Sequence, residues 1–183
     1  TARCHSTDFW ICRLDESGDE RWHRIIGFRG VDKVNDLIIT ENEIVLLATT
    51  DYPQIDELED MEARDKDLAL LKLDWDGNLI DMHVIETEST DERGIALVLH
   101  EDGDTRYVVL AAQQDQEGMN QELLFMSLDA QLSVLQEITI DNSQNVEAYS
   151  MISFGTDSVL VTGTRLGNPE DKLQAWLANI DLS

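Results

Sequence analysis

Asp67-Leu-Ala-Leu-Leu-Lys-Leu-Asp74, followed by Trp75-Asp76-Gly77-Asn78, is the stretch whose reading decides the fold. It occurs four times. The other copies are Asp8-Phe-Trp-Ile-Cys-Arg-Leu-Asp15, Glu122-Leu-Leu-Phe-Met-Ser-Leu-Asp129 and Gln174-Ala-Trp-Leu-Ala-Asn-Ile-Asp181. The closing aspartates stand 59, 55 and 52 residues apart. Before each comes Leu14, Leu73, Leu128 or Ile180, and before that a polar residue, Arg13, Lys72, Ser127 or Asn179. The four positions preceding these are apolar throughout. A strand apolar on both faces must be covered on both faces. In an all-β repeat this means sheets stacked against sheets. After the aspartate, Gly18 and Gly77 stand where a tight hairpin needs positive φ. The third copy, Ala130-Gln131-Leu132-Ser133, has no glycine there, so a different turn is expected.

Working outward, each unit adds three more strand-like runs. Runs 20–26, 79–85 and 132–139 alternate polar and apolar residues, which suits a half-exposed outer strand. Runs 33–40, 92–99 and 146–153 come next. The last set, 43–50, 105–113 and 158–164, carries Ala48, Ala111 and Gly163 at matching places. Small residues fit where neighbouring backbones converge. Strand-like runs recurring roughly every 8–15 residues, with a period near 55 and no convincing helix, read as a β-propeller of four-stranded antiparallel blades. A sandwich has no reason to repeat its sequence. A solenoid rung would be shorter, about 20–30 residues.

The chain has 183 residues, enough for one domain with a real core. Hydrophobic residues make up 42%, so disorder is not the default. Thirteen Lys and Arg face 38 Asp and Glu, a formal charge of −25. Such a surface repels nucleic acid and anionic membrane, because phosphate binding needs cations on the protein. It favours a basic partner, a divalent cation or simple solubility. No run approaches the ~18–20 apolar residues of a membrane span. Cys4 and Cys12 are too few for a disulfide framework and are expected as buried free thiols, with a pairing across neighbouring strands as the alternative. With no signal peptide and no initiator Met, the repeats suggest a segment that continues on both sides.

The pattern Asp-x-Trp-x-x-Lys/Arg-Leu-Asp-x-x-Gly-Asn, with a later Gly/Ala-Thr ending a Val/Leu-rich strand, resembles repeats of bacterial β-propeller proteins. These are mostly secreted or surface proteins. The piece from Leu14 to Trp22 also resembles the quinoprotein repeat, but lacks its Thr, and Asp81 and Gln136 stand where the other copies would need Trp. The resemblance implies that run 33–40 is the innermost strand of its blade and that the anchor stretch is the third. The expected division is a partial blade at 1–26, blades at 33–85 and 92–139, and a partial blade at 146–183. Closed rings have about 4–8 blades. The chain is therefore expected to be an incomplete arc, two whole blades plus two partial ones, with exposed edges and end faces and the missing blades supplied by its parent protein.

One segment breaks the repeat. Residues 51–66 link a second strand to a third and are much longer than the equivalent links near 115–120 and 166–171. They hold seven acids and two bases. Asp51, Asp56, Glu57, Glu59, Asp60, Glu62 and Asp65 are the candidate partner-docking or cation-attracting residues, against the plainer reading of a solvated insertion. Part of the insertion, from Ile55 to Ala63, has the spacing of a helical turn. It is not an EF-hand, since Met61 stands where counting from Asp56 requires Gly. Asp74, Asp76 and Asn78 look like a calcium loop but belong to the repeated hairpin turn. Trp75 in that turn is the candidate exposed aromatic anchor, unless it folds over its own hairpin. Trp10 and Trp176, at equivalent repeat positions, are expected in the core. His5, His23, His83 and His100 show no metal spacing and read as surface or edge residues.

No nucleophile elbow, zinc-protease helix, phosphate-binding loop or Cys-x-x-Cys is present in the sequence. The first reading is therefore a non-catalytic binding or scaffolding surface for a protein or carbohydrate, without a cofactor, outside the cytoplasm: extracellular, on the cell surface or in the periplasm. The alternatives are a quinoprotein-like or hydrolytic propeller enzyme whose active residues lie in missing blades, and a calcium-binding module acting through the acidic face.

Overall fold

The computed structural model describes residues 7–27, 31–51, 66–85, 90–102, 104–115, 121–140, 146–165 and 173–182. Among the described residues there are thirteen strands and no helix. The first sheet pairs β1 (Phe9–Leu14) with β2 (Glu20–Ile26). The second has the order β3 (Lys33–Ile39), β4 (Ile44–Thr50), β5 (Asp67–Leu73), β6 (Leu79–Ile85). The third repeats it with β7 (Thr90–Asp102), β8 (Thr105–Asp115), β9 (Gln121–Leu128) and β10 (Val134–Ile140). The fourth contains β11 (Val146–Phe154), β12 (Ser158–Arg165) and β13 (Gln174–Asp181). Every pair joins sequence neighbours and is antiparallel. Such meanders need only short connections.

The sheets stack face to face in chain order. Successive side chains of a strand point to opposite faces, so each central strand divides its residues between two cores. On β5, Ala69, Leu71 and Leu73 face back toward the first sheet, where they meet Phe9, Ile11, Trp22 and Ile26. Leu68 and Leu70 face forward and pack with Leu97, Tyr107, Val109, Leu124 and Met126 of the third sheet. On β9, Leu123 and Phe125 face forward in turn, against Met151, Val159, Val161 and Trp176. All seven residues of β4 are buried. Each large apolar side chain so enclosed contributes about 1.5–3 kcal/mol. The outermost strands β6 and β10 are mostly exposed, as their polar alternation predicts.

The first strands of neighbouring sheets lie side by side, β3 by β7 and β7 by β11. The Leu97 N–H donates to Asp36 Oδ2 at 2.9 Å across this seam. Each of the three carries a bulge at the same repeat place, at Asn35, Ile95 and Tyr149. The matching small residue sits opposite. A Cβ added to Gly163 would lie 2.1 Å from the Glu147 carbonyl, so the expected convergence of backbones is real there.

The structure corrects three expectations. The third hairpin turn does not differ from the others. Asp15, Asp74 and Asp129 all accept from the N–H groups two and four residues on. Gly18, Gly77 and Leu132 all have positive φ, +85°, +78° and +67°. Leu132 adopts this strained backbone because its side chain is fully buried with Leu128 in the core between the second and third sheets. Trp10 is not in a core: it is 65% exposed, while its repeat equivalents Ala69 and Leu124 are buried. It points back from the first sheet, where no described residue covers it. His100 is not a surface residue. It is 3% exposed, and its Nδ1 lies 3.0 Å from Ser153 Oγ, because the end of β7 lies against β11. His23 and His83 are exposed, and His5 lies outside the described residues.

Candidate functional site

The acidic insertion lies in the chain between β4 and β5. Residues 52–65, and with them Asp56, Glu57, Glu59, Asp60, Glu62 and Asp65, lie outside the described residues, as does the proposed helical turn. Its two feet are described. Thr50 pairs with Asp67, so the feet stand side by side. At one foot, the Asp51 carboxylate accepts the N–H of Val31. At the other, the Lys66 ammonium bonds Asp91 Oδ2 at 3.1 Å, and the Lys66 N–H reaches Asp91 Oδ1 at 2.9 Å. The Lys66 carbonyl accepts from the Glu92 N–H at 2.7 Å. Nearby, the Thr50 hydroxyl donates to buried Asp32 at 2.6 Å. Both feet are thus tied to the segments that enter β3 and β7. A loop mounted this way has fixed ends on a rigid scaffold, the arrangement in which loops carry recognition.

Trp75 lies at the opposite end of the same sheet. The seven-residue β5 separates it from the insertion, a span of roughly 24 Å. The feet of the insertion and Trp75 therefore lie at opposite ends of the sheet. The indole of Trp75 does not rest on its own hairpin. Its Nε1–H donates to the Glu41 carbonyl, in the turn between β3 and β4, at 3.1 Å. The Arg13 guanidinium stacks 4.9 Å from the ring centroid. Arg13 also donates to the Trp75 carbonyl at 2.9 Å, and Trp22 Nε1–H to the same oxygen at 3.0 Å. Arg24 adds a 2.6 Å bond to the Asp76 carbonyl. An open hollow of about 800 Å³ beside this joint is lined by Arg13, Asp15, Arg21, Trp22 and Asp76. The ring face of Trp75 is engaged in joining the first sheet to the second, and its donor in holding the β3–β4 turn of its own sheet.

The same joint recurs one sheet later, and sequence reasoning did not find it. Lys72 occupies the place of Arg13 in the repeat. Its ammonium donates to the Ala130 carbonyl, as Arg13 does to Trp75, one residue past the next anchor aspartate. It also bonds Glu43 Oε1 at 3.1 Å and sits 5.5 Å from the Tyr107 ring centroid. Tyr107 donates to the same Glu43 oxygen at 2.7 Å. Burial, reinforced by the Glu43 carboxylate, pushes the Tyr107 phenol up to about 12. The signal was present in the sequence: one polar place in an otherwise apolar strand. Ser127, the third copy, is too short to reach across.

Asp74 is likewise consumed by its own turn. Oδ1 takes the N–H groups of Asp76 and Asn78, and Oδ2 takes the Asn78 side-chain amide at 2.8 Å. That amide bond holds the Asp74 carboxyl below the usual range, with the turn N–H groups adding to it. Cys12 carries a free thiol raised by desolvation and by Glu20, and Cys4 lies outside the described residues. Among the described residues, no three of His, Cys, Asp or Glu stand together as a metal cluster. No described helix is long and apolar enough to cross a membrane. Comparison with known protein families and with curated proteins returned no match.

Proposed function

We propose that the chain is part of a β-propeller and serves as a non-catalytic binding or scaffolding surface of a larger secreted or cell-surface protein. In this reading the two four-stranded sheets are whole blades, and the two- and three-stranded sheets are partial ones. What supports the architecture is the side-by-side placement of the first strands β3, β7 and β11, with sheets stacked face to face around them. The observation that carries the function is the acidic insertion clamped at both feet, by Asp51 to Val31 and by Lys66 to Asp91. A strongly negative loop on a fixed base suits a cationic protein segment, with a carbohydrate or a calcium ion as the competing ligands.

The test replaces residues 52–65 with a short Gly-Ser link. The shortened chain is expected to keep the melting temperature of the parent. It is expected to lose binding of a lysine-rich peptide, measured calorimetrically at low and physiological salt. A shortened chain that binds the peptide equally well, or that melts as early as a core variant, would overturn the reading. Stabilisation by millimolar calcium beyond a magnesium control would replace the peptide with a metal, because a specific ligand must stabilise the fold it binds. Turnover of a quinone-dependent or hydrolase substrate by the full-length gene product would replace the scaffold with an enzyme.

A further inference from the structure

Acids outnumber bases 38 to 13 in this chain, and nine of the bases lie among the described residues. Six of the nine, Arg13, Arg21, Arg24, Lys66, Lys72 and Arg106, hold a carboxylate, a carbonyl or another partner. Lys33, Arg93 and Arg165 hold none, and all three are exposed. An unpaired cation is the unexpected state where carboxylates are so abundant. The three also stand at one end of their sheets. Lys33 opens β3, Arg93 lies near the start of β7, and Arg165 closes β12, where it pairs with Val146 at the start of β11.

Two of these cations face each other across one seam. Gly94 points back at the second sheet, since an added Cβ there would lie 2.8 Å from Leu47, so by alternation Arg93 points forward to the fourth sheet. Arg165 shares a face with its partner Val146, which is buried in the core between the third and fourth sheets, so Arg165 points back to the third. β7 and β11 lie side by side. Arg93 and Arg165 therefore stand on opposite walls of the seam, at its rim, and both walls are described sheets. The described acids beside them in sequence are engaged: Asp91 by Lys66, Glu92 by the Thr90 hydroxyl and Glu147 by Tyr149. The seam before it carries a single cation. Lys33 stands at the place of Arg93, but the place of Arg165 is taken by Gln113, which donates to Thr90 at 3.0 Å.

We infer that Arg93 and Arg165 bind a small anion bearing two or more carboxylate or phosphate groups, one group to each guanidinium. Each guanidinium offers a planar fork of N–H donors that matches two oxygens of such a group. Left empty, the seam rim sets two like charges against each other. An oxyanion between them turns that repulsion into two charge-assisted pairs. The ligand is small because the formal charge of −25 repels long polyanions. At physiological salt the Debye length of about 8 Å screens that distant charge and leaves the local field of the arginines. The site stands on the third and fourth sheets alone and is independent of what the insertion binds.

Thermal melts of the 183-residue chain test this, with citrate or pyrophosphate titrated at constant ionic strength and EDTA in every sample. At least one of the two anions is expected to raise the melting temperature saturably beyond a sodium chloride control, because a specific ligand stabilises the fold it binds. Which one does so tells carboxylate from phosphate. Arg93→Gln and Arg165→Gln are each expected to weaken that binding about tenfold or more, the scale of a lost charge-assisted bond, with calorimetry reading the affinity. Lys33→Gln, one seam away, is expected to keep the parent affinity. Without added anion, both arginine variants are expected to melt no earlier than the parent, since each removes one of two facing like charges. The inference is overturned if neither anion shifts the melt beyond the control. It is overturned equally if Lys33→Gln loses as much as the arginine variants, which would mean attraction by charge without a site. Arginine variants that melt earlier in the absence of anion would assign both side chains to acids of their own chain, and would also overturn it.

Discussion

Leu70 and Leu177 are the same residue at the same place of the repeat, four residues before the anchor aspartates Asp74 and Asp181. Leu70 is fully buried and Leu177 is 65% exposed. Both lie in an anchor stretch paired antiparallel, although β5 has a partner strand on each side and β13, among the described strands, only β12. What differs besides is that a described sheet packs over Leu70, whereas no described residue covers Leu177. The same contrast divides Ala69 from Trp10 at the opposite end of the stack. Burial in a stacked repeat is thus a property of the neighbour, and each strand's sequence states only what it is prepared to bury.

The comparison breaks most sharply by truncation. Leu70→Ala is expected to cost about 3 kcal/mol, the cavity-forming range. Leu177→Ala, studied at a concentration where the chain is monomeric, should stay within roughly 0.5 kcal/mol, as exposed substitutions do. Urea midpoints at constant m-value read both. Equal losses would mean that the fourth sheet's outer face is covered in solution.

The joints give the next contrast. Lys72 is 7% exposed and linked to Glu43, Tyr107 and Ala130, whereas Arg13 is exposed. Lys72→Ala leaves the Glu43 carboxylate without its cation in a half-closed site. It is expected to cost about 2–3 kcal/mol, somewhat below the loss on breaking a fully buried pair. Arg13→Ala should cost under about 1 kcal/mol, because water solvates what it releases. Thermal melts of the two variants side by side check the ordering.

Turns sharpen it further. Gly18 and Gly77 have the same positive φ, but only Gly77 faces a neighbouring sheet. An added Cβ there would lie 2.8 Å from the Trp22 ring, while at Gly18 nothing lies within 4 Å. Gly18→Ala should lose about 1 kcal/mol from backbone strain alone. Gly77→Ala should lose about 1 kcal/mol more, since Trp22 must shift. Identical losses would show that Trp22 yields freely.

The smallest effect is seen in pH. The Tyr107 phenol is raised from its ordinary value to about 12 in the folded state. The folded chain therefore holds this proton more tightly than the unfolded one. Its contribution is complete below about pH 10, and it is lost as pH rises from there through about 12. Tyr107→Phe removes one bond to Glu43, costing about 1 kcal/mol at neutral pH, and should flatten that alkaline decline. A decline unchanged by the substitution would assign it to other groups.

Much of the fold was legible because the repeat is written in period-2 patterns. The doubly apolar Leu68–Leu73 region announced a covered strand, and Gly18 and Gly77 announced hairpins. The third turn was misread because Leu132 carries no mark of a left-handed backbone. Only its burial beside Leu128 explains why it tolerates one. His100 was misread for a similar reason, since its neighbour Ser153 lies 53 residues away. Of the candidate site, the acidic insertion stood out as a length anomaly. Its attachment did not, because Val31 and Asp91 lie 20 and 25 residues from the feet they hold. The anchoring of Trp75 by Arg13 was hidden likewise, since the pair is 62 residues apart.

What the sequence by itself determined is the unit: strand spacing, the faces each strand is ready to bury, and the aspartate-held turn. These follow from local alternation and local hydrogen bonding, which a few neighbouring residues specify. Only the tertiary structure decided which faces are covered, which polar side chains become joints between sheets, and where a strained Leu132 is acceptable. Those depend on contacts between residues distant in the chain, such as Lys72 with Glu43 and with Ala130, 29 and 58 places apart, which no local pattern encodes.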